Sequence, residues 1–332
     1  MKREDNLFEK IVEPENLRLA FWKARKAKDG KKEVIEFAKN LDKNLMNLRF
    51  ELLHGTLELG DYHYFTIYDP KERKICAANF KERVLHHAIM NICHDNFEKF
   101  QICNSYASRL NKGTYAGLKK AAEYQEKYKW YLKLDIKKYF DTIAHKILKS
   151  QLCRRFKDKR LLSIFSQIID SYKVESGTGV PIGNLTSQYF ANHYLGYADH
   201  FVKEILNVPA YVRYMDDMIL WSNDKSGLLR NGRDFESFLN DTLNLTLKLF
   251  CLNSVEKGLP FCGYNLFPHK ILLGKNSKKR FKSKLQHFNL KLNNQEWNQK
   301  EYQSHVLPLF AFVQHADTFM LRKNQLKHIE NG

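Results

Sequence analysis

The sequence predicts an α+β protein. Helix-period apolar runs fill both ends of the chain, short β-prone apolar runs alternate with helical segments between Trp130 and Lys275, and one pair of short runs is interrupted by two adjacent acids. At 332 residues, with 43% apolar and 13% aromatic composition, the chain is long enough for about two domains with a packed core, which excludes a disordered chain.

Residues 15–55 read as helix, because Leu17, Leu19, Phe21, Trp22, Val34, Ile35, Phe37, Ala38, Leu41, Leu45 and Leu48 recur at helical spacing before Gly55. Tyr62 to Ile67 reads as strand, rich in residues that favour a pleated surface, and the basic loop Asp69-Pro70-Lys71-Glu72-Arg73-Lys74 follows. Residues 80–100 return to helix, with Val84, Leu85, Ala88, Ile89 and Ile92 on one face. Beyond Trp130 the pattern predicts strands at 131–136, 211–214, 218–221 and 261–266, and helices near 144–156, 160–172, 186–205 and 234–247. After residue 275 come Lys275, Lys278, Lys279, Arg280, Lys282 and Lys284, with Phe281, Leu285, Phe288 and Leu292 on the opposite side of a helix. These changes of pattern divide the chain into 1–130, 131–275 and 276–332, with no repeat or flexible linker between them.

Lys and Arg total 55 against 37 Asp plus Glu, a formal charge of +18. Such a surface suits a polyphosphate partner, although a basic chain can also be merely a solvated one. The charged N-terminus Met1-Lys2-Arg3-Glu4-Asp5-Asn6 leads into no apolar signal region, and no unbroken apolar stretch approaches a membrane span, so a cytoplasmic protein without membrane contact is expected. The six cysteines, Cys76, Cys93, Cys103, Cys153, Cys251 and Cys262, lack C-x-x-C spacing and read as reduced core thiols.

Tyr211-Val212-Arg213-Tyr214-Met215-Asp216-Asp217-Met218-Ile219-Leu220-Trp221 reads as a hairpin with two acids at its tip. Asp is common in tight turns, yet apolar strands on both sides place two like charges in a partly buried site, where a cation should compensate them. A third acid, Asp135, ends the strand Trp130-Tyr131-Leu132-Lys133-Leu134. Taken alone it is more simply a strand-end acid. Taken with Asp216 and Asp217, it completes a carboxylate set of the kind that holds two divalent ions for phosphoryl transfer to a 3′-hydroxyl. Magnesium, which prefers oxygen ligands, suits such a set.

Tyr214-Met215-Asp216-Asp217 resembles the Y-x-D-D box of reverse transcriptases, and Leu134-Asp135-Ile136-Lys137-Lys138-Tyr139-Phe140-Asp141 resembles that family's first palm motif. Arg73-Lys74-Ile75 and Lys81-Glu82-Arg83 are similar to its fingers segment, Phe261-Cys262-Gly263-Tyr264 to its primer grip, and Lys248 to the basic position before that grip. The resemblance runs collinearly over roughly residues 45 to 270. It implies a right hand: fingers at 1–130, a palm of antiparallel sheet and helices at 131–275, and a small basic helical thumb at 276–332. It further implies an RNA-directed DNA polymerase in which two Mg2+ ions, replaceable by Mn2+, are held by Asp135, Asp216, Asp217 and the Ile136 carbonyl. Arg73, Lys81 and Arg83 would face the triphosphate, with Phe140 excluding a 2′-hydroxyl and Ile182, Gly183, Gln188 and Lys248 completing the nucleotide site. Tyr214, Met215, Phe261, Gly263, Tyr264, Lys279 and Arg280 would contact primer and template.

Val180-Pro181-Ile182-Gly183-Asn184-Leu185-Thr186-Ser187-Gln188 has Ile182 where retroviral and group II intron enzymes carry the Gln of P-Q-G. This I-G-x-x-x-S-Q form, with Ser105-Tyr106-Ala107-Ser108-Arg109 and Lys112-Gly113-Thr114, resembles reverse transcriptases of diversity-generating retroelements. That resemblance implies a bacterial or phage-encoded protein that copies a template RNA into cDNA mutated at adenines. Its implied partners are the template RNA, the primer strand, deoxynucleoside triphosphates and an oligomeric accessory variability determinant protein. Intron-like, retron-like and abortive-infection enzymes are alternatives within the family. Outside it stand a silent RNA-binding protein that keeps the fold and a metal-dependent nuclease.

Overall fold

The structure, a computed structural model, describes residues 5–68 and 72–330, with side chains described through residue 325. Asp69, Pro70 and Lys71 of the expected basic loop lie outside the described residues. The elements begin with helices α1 (Leu7–Ile11), α2 (Pro14–Arg25), α3 (Lys32–Lys39) and α4 (Leu41–His54), strands β1 (Tyr62–Ile67) and β2 (Arg73–Ala78), and helix α5 (Phe80–Glu98). They continue with α6 (Thr114–Lys127), β3 (Trp130–Ile136), α7 (Tyr139–Thr142), α8 (His145–Arg155), α9 (Lys159–Asp170) and α10 (Leu185–His200), which a π-helical turn prolongs over Phe201–Ile205. Then come β4 (Ala210–Tyr214), β5 (Asp217–Ser222), α11 (Lys225–Leu243), β6 (Leu247–Ser254), β7 (Leu259–Phe261), β8 (Tyr264–Phe267) and β9 (Lys270–Leu273). Helices α12 (Lys275–Asn293), α13 (Gln299–Val313) and α14 (Phe319–Glu330) close the order. This mixture of helices and antiparallel hairpins is the expected α+β class.

Two compact units divide the chain. The first comprises Met1–Ser108, Asp135–Asn207 and Arg233–Leu249. Its helices pack through an aromatic centre in which Phe97 meets Phe156, Phe165 and Phe190 at centroid distances of 5.2, 6.2 and 6.3 Å. Asp158 caps α9 by accepting from the Arg160 and Leu161 amides, and its other oxygen accepts the Phe8 amide at 2.8 Å, tying α1 to α9. Strands β1 and β2 form an antiparallel pair in register from Tyr62↔Ala78 to Ile67↔Arg73. The expected continuous helix over 15–55 is instead three helices. Pro14 starts α2, Ala27 takes a left-handed φ of 60° after it, and Asn40 leaves helical geometry between α3 and α4. Apolar spacing carries over both breaks because each short helix buries a face of its own.

The second unit comprises Arg109–Leu134, Val208–Gly232 and Phe250–Gly332. Its main sheet has the strand order β4-β5-β3-β6, and β7, β8 and β9 form a separate antiparallel sheet. Buried Gln125 links helix to sheets, accepting from the Trp221 indole at 2.8 Å and donating to the Leu266 carbonyl at 2.8 Å. The helix placed at 234–247 is α11, which begins nine residues earlier because Asp224 accepts the Ser226 amide at its start, and β6 begins at Leu247. Gly227 and Gly232 weaken the helical pattern over that start, yet Gly232 is there for packing, since a Cβ would collide with Leu132 and Phe250. The single strand placed at 261–266 is two, because Cys262 (φ 47°) and Gly263 (φ 89°) form the turn between β7 and β8. Strand β2 was missed, and Arg73 and Lys74, read as loop, open it.

Helix α12 is amphipathic as expected, with Phe281 and Leu285 buried against Val313 of α13 and Lys278, Lys279, Lys282 and Lys284 exposed. The cysteines keep their thiols, but only Cys76 and Cys93 are buried, so the reading of six core thiols is too broad.

Candidate active site

Strands β4 and β5 pair from Ala210↔Trp221 to Tyr214↔Asp217, leaving Met215 and Asp216 as a two-residue turn. The base of this hairpin is fully buried: Tyr211, Val212, Arg213, Met218, Ile219, Leu220 and Trp221 each expose 0%. From Tyr214 to Asp217 the residues are only half-buried. The pattern follows from the sequence, since apolar residues hold the strands in the core and the polar tip emerges where chemistry can occur. Met215 adopts φ 55°, a left-handed conformation uncommon for a side chain of its size. The buried Arg213 guanidinium donates to the Met215 carbonyl at 3.2 Å and so braces that turn from within.

Lys133 of β3 donates to Asp217 Oδ2 at 3.0 Å and to the Pro260 carbonyl at 2.7 Å. Alternation along β3 places Lys133 and Asp135 on one face, both half-buried, while Leu132, Leu134 and Ile136 are buried. Nearby, burial and the Asp217 charge push the Cys262 thiol up to about 12, leaving it protonated. The Tyr214 hydroxyl lies 2.9 Å from Thr114 Oγ1, and its ring meets Phe261 edge-on at 6.4 Å. A cavity of about 420 Å³ opens beside Tyr214, lined also by Lys112, Thr114, Tyr115, Cys262 and Phe312. Tyr264, from the segment similar to a primer grip, donates its hydroxyl to the Phe312 carbonyl at 2.7 Å, and exposed Gly263 forms the adjoining turn. Lys279 is exposed and Arg280 half-buried on α12.

In the first unit the segment after Val180 is stitched to β2. The Ile182 carbonyl accepts the Cys76 amide at 2.8 Å, and Asn184 Oδ1 accepts the Ala78 amide at 3.0 Å. Gly183 sits between them at φ 124°, where a Cβ would lie 2.8 Å from Ile75 Cγ2, so glycine is needed both for conformation and for space. The Val180 amide donates to the Phe140 carbonyl at 2.9 Å, which joins half-buried Phe140 to the Ile182 segment. Gln188 is half-buried in the first turn of α10, and Lys248 is exposed on β6. Of the three basic residues expected to face the triphosphate, Arg73 is exposed, Lys81 is 2.9 Å from the Glu51 carboxylate, and Arg83 pairs with Glu33 and lies over the Phe80 ring.

Among the described residues no three His, Cys, Asp or Glu side chains form a ready metal cluster. The adjacent carboxylates Asp216 and Asp217 supply hard oxygen donors, and Asp217 already draws in an ammonium, so the donor set fits a magnesium ion. Sequence reasoning gave no site role to Lys133 or Tyr115, and read Thr114 only as part of the Lys112-Gly113-Thr114 run. A lysine inside the otherwise apolar strand Trp130–Leu134 was the available signal for the first.

Residues 69–266, more than half of the chain, match the family "Reverse transcriptase (RNA-dependent DNA polymerase)", and the chain belongs to it. It is 24% identical over 173 residues to the putative COX1/OXI3 intron 1 protein of Saccharomyces cerevisiae, an alignment covering 49% of this chain and 21% of that protein. The putative COX1/OXI3 intron 2 protein of the same yeast is 23% identical over 141 residues, covering 40% and 16%. The chain therefore spans about a fifth of the length of these relatives. Among solved structures it aligns with telomerase from Candida albicans at a TM-score of 0.48 and 15% identity, over 81% of this chain and 54% of that one. Telomerase from Candida tropicalis aligns at a TM-score of 0.49 and 14% identity, over 82% and 54%. Among the described residues no helix is long and apolar enough to cross a membrane.

Proposed function

We propose that this chain is an RNA-directed DNA polymerase of the diversity-generating retroelement type, with Asp135, Asp216 and Asp217 as its metal ligands. The observation that carries the reading is the Tyr214–Asp217 turn, two adjacent carboxylates at the half-buried tip of a hairpin with a fully buried base, in a chain of the reverse transcriptase family. Strand β3 lies beside β5 in the sheet, and Asp135 shares its face with Lys133, whose ammonium reaches Asp217, which supports Asp135 as the third acid. Bound to these carboxylates and the Ile136 carbonyl, two magnesium ions would activate a primer 3′-hydroxyl and neutralise the leaving pyrophosphate. The protein's own part is to hold the oxygens, with Tyr214, Met215, Phe261, Gly263 and Tyr264 steadying the primer end and Lys279 and Arg280 meeting the duplex backbone by charge.

Incoming deoxynucleotides are assigned to Arg73, Lys81, Arg83, Phe140, Ile182, Gly183, Gln188 and Lys248. The ion pairs of Lys81 and Arg83 make exposed Arg73 the readiest phosphate contact of the three basic fingers residues. Phe140 is read as the side chain beneath the sugar. Phe140→Ala is expected to raise ribonucleotide use relative to deoxynucleotide by about 10- to 100-fold, measured by single-nucleotide extension, and unchanged discrimination would remove that role.

Ile182 is read as the source of low fidelity, because an aliphatic side chain packs against a nascent pair but cannot hydrogen-bond to it. The test is sequencing of cDNA made on an adenine-containing RNA. Errors concentrated opposite adenine are expected, falling about fivefold in Ile182→Gln, the worth of roughly one net hydrogen bond. Accurate copying of adenine would select an intron-type enzyme instead, the reading favoured by the yeast intron relatives. An oligomeric accessory variability determinant protein is proposed as partner on the resemblance alone. Failure of the two to co-purify from cells carrying the complete element would withdraw it.

A further inference from the structure

Lys133 has no part in the chemistry assigned above, yet its placement is specific. One ammonium spans Asp217 Oδ2 at 3.0 Å and the Pro260 carbonyl at 2.7 Å, joining the acid that opens β5 to the backbone of β7. Its side chain is 16% exposed and that of Asp217 26%, so solvent screens the pair only in part. A lysine ammonium is a compact charge with three donors, and here two of its directions end on protein oxygens. Inside a strand built from Trp130, Tyr131, Leu132 and Leu134, such a charge is costly to keep unless its position is used.

The geometry points to Lys133 as a built-in counter-cation for Asp217, holding the carboxylate in place while the site is metal-free and giving it up as a divalent ion binds. This rests on the reading of Asp217 as a metal ligand. Lys133 is a positioning residue: it donates to Oδ2 of the carboxylate that would hold the metal, and its second bond, to Pro260, keeps the ammonium close if the first is lost. The carboxylate stays oriented and compensated without metal. In return, an incoming ion competes with an ammonium, so metal binds more weakly than to the bare acids.

The test is a thermal-unfolding titration of the full chain with Mn2+, comparing wild type with Lys133→Met, Lys133→Arg and Asp217→Asn. Lys133→Met is expected to unfold at lower temperature in chelator, to gain more from Mn2+, and to reach half-maximal stabilisation at about five- to tenfold lower Mn2+ than wild type. Lys133→Arg, which keeps the charge, should stay near the wild-type midpoint. If Asp217→Asn responds to Mn2+ as wild type does, Asp217 is not a ligand and the underlying reading fails. If Asp217→Asn loses the response while Lys133→Met saturates at the wild-type concentration or above, the counter-cation role alone is overturned. Should Lys133→Met fail to fold, Lys133→Gln, neutral but able to donate to Pro260, gives the same readout.

Discussion

Asp217→Asn is expected to lower RNA-templated DNA synthesis by on the order of 10³-fold or more. The substitution leaves the shape of the β5 start nearly unchanged but replaces a charged oxygen donor with a neutral amide that binds a hard cation poorly. It also replaces the charged partner of Lys133, 3.0 Å away, with a neutral one while the Pro260 carbonyl still accepts, so the loss of activity should come with a modest change in stability rather than unfolding. Asp216→Asn should behave alike, because the two acids stand side by side at the tip of one hairpin. Steady-state primer extension on the folded variants, with folding checked by circular dichroism, decides the point. More than a tenth of wild-type activity in either variant contradicts the assignment.

The second large effect concerns the support beneath that turn. Trp221 at the far end of β5 is fully buried, and its indole donates to Gln125 Oε1 at 2.8 Å. Trp221→Ala removes the largest of the fully buried side chains and leaves a buried amide oxygen without that donor. The expected cost is about 3–5 kcal/mol of unfolding free energy. Trp221→Phe, which fills most of the volume but cannot donate, should cost distinctly less. Denaturant melts of the three proteins measure both. A loss below about 1 kcal/mol in the alanine variant would mean that the site does not depend on this packing as described.

The hairpin and its acids were legible because two signals coincide there, short apolar β-prone runs buried at every position and two charges that no core accepts unaided. Strand β1 was legible from its β-favouring residue types, although it is mostly exposed, and helix α5 from its apolar face. Other features were hidden by residues whose local meaning differs from their tertiary one. Gly232 reads as a stop, but it makes room for Leu132 and Phe250. Cys262 carries no turn signal, yet it takes the left-handed conformation that divides β7 from β8. Lys133 was passed over because a charge in a strand looks like an outward-facing residue, and only the structure gives it Asp217 and Pro260 as partners. The bonds that stitch Ile182 and Asn184 to β2 join positions more than a hundred residues apart, which no local pattern reports.

The measurement that bears most directly on the proposed activity is extension of a DNA primer on an RNA template by the purified wild-type chain, with magnesium and either deoxynucleotides or ribonucleotides. Template-length product that needs a divalent ion, forms only with deoxynucleotides and vanishes in Asp217→Asn is the predicted result. Absence of product with intact protein, cognate template RNA and the proposed accessory partner all present would contradict it and leave a polymerase fold used for RNA binding.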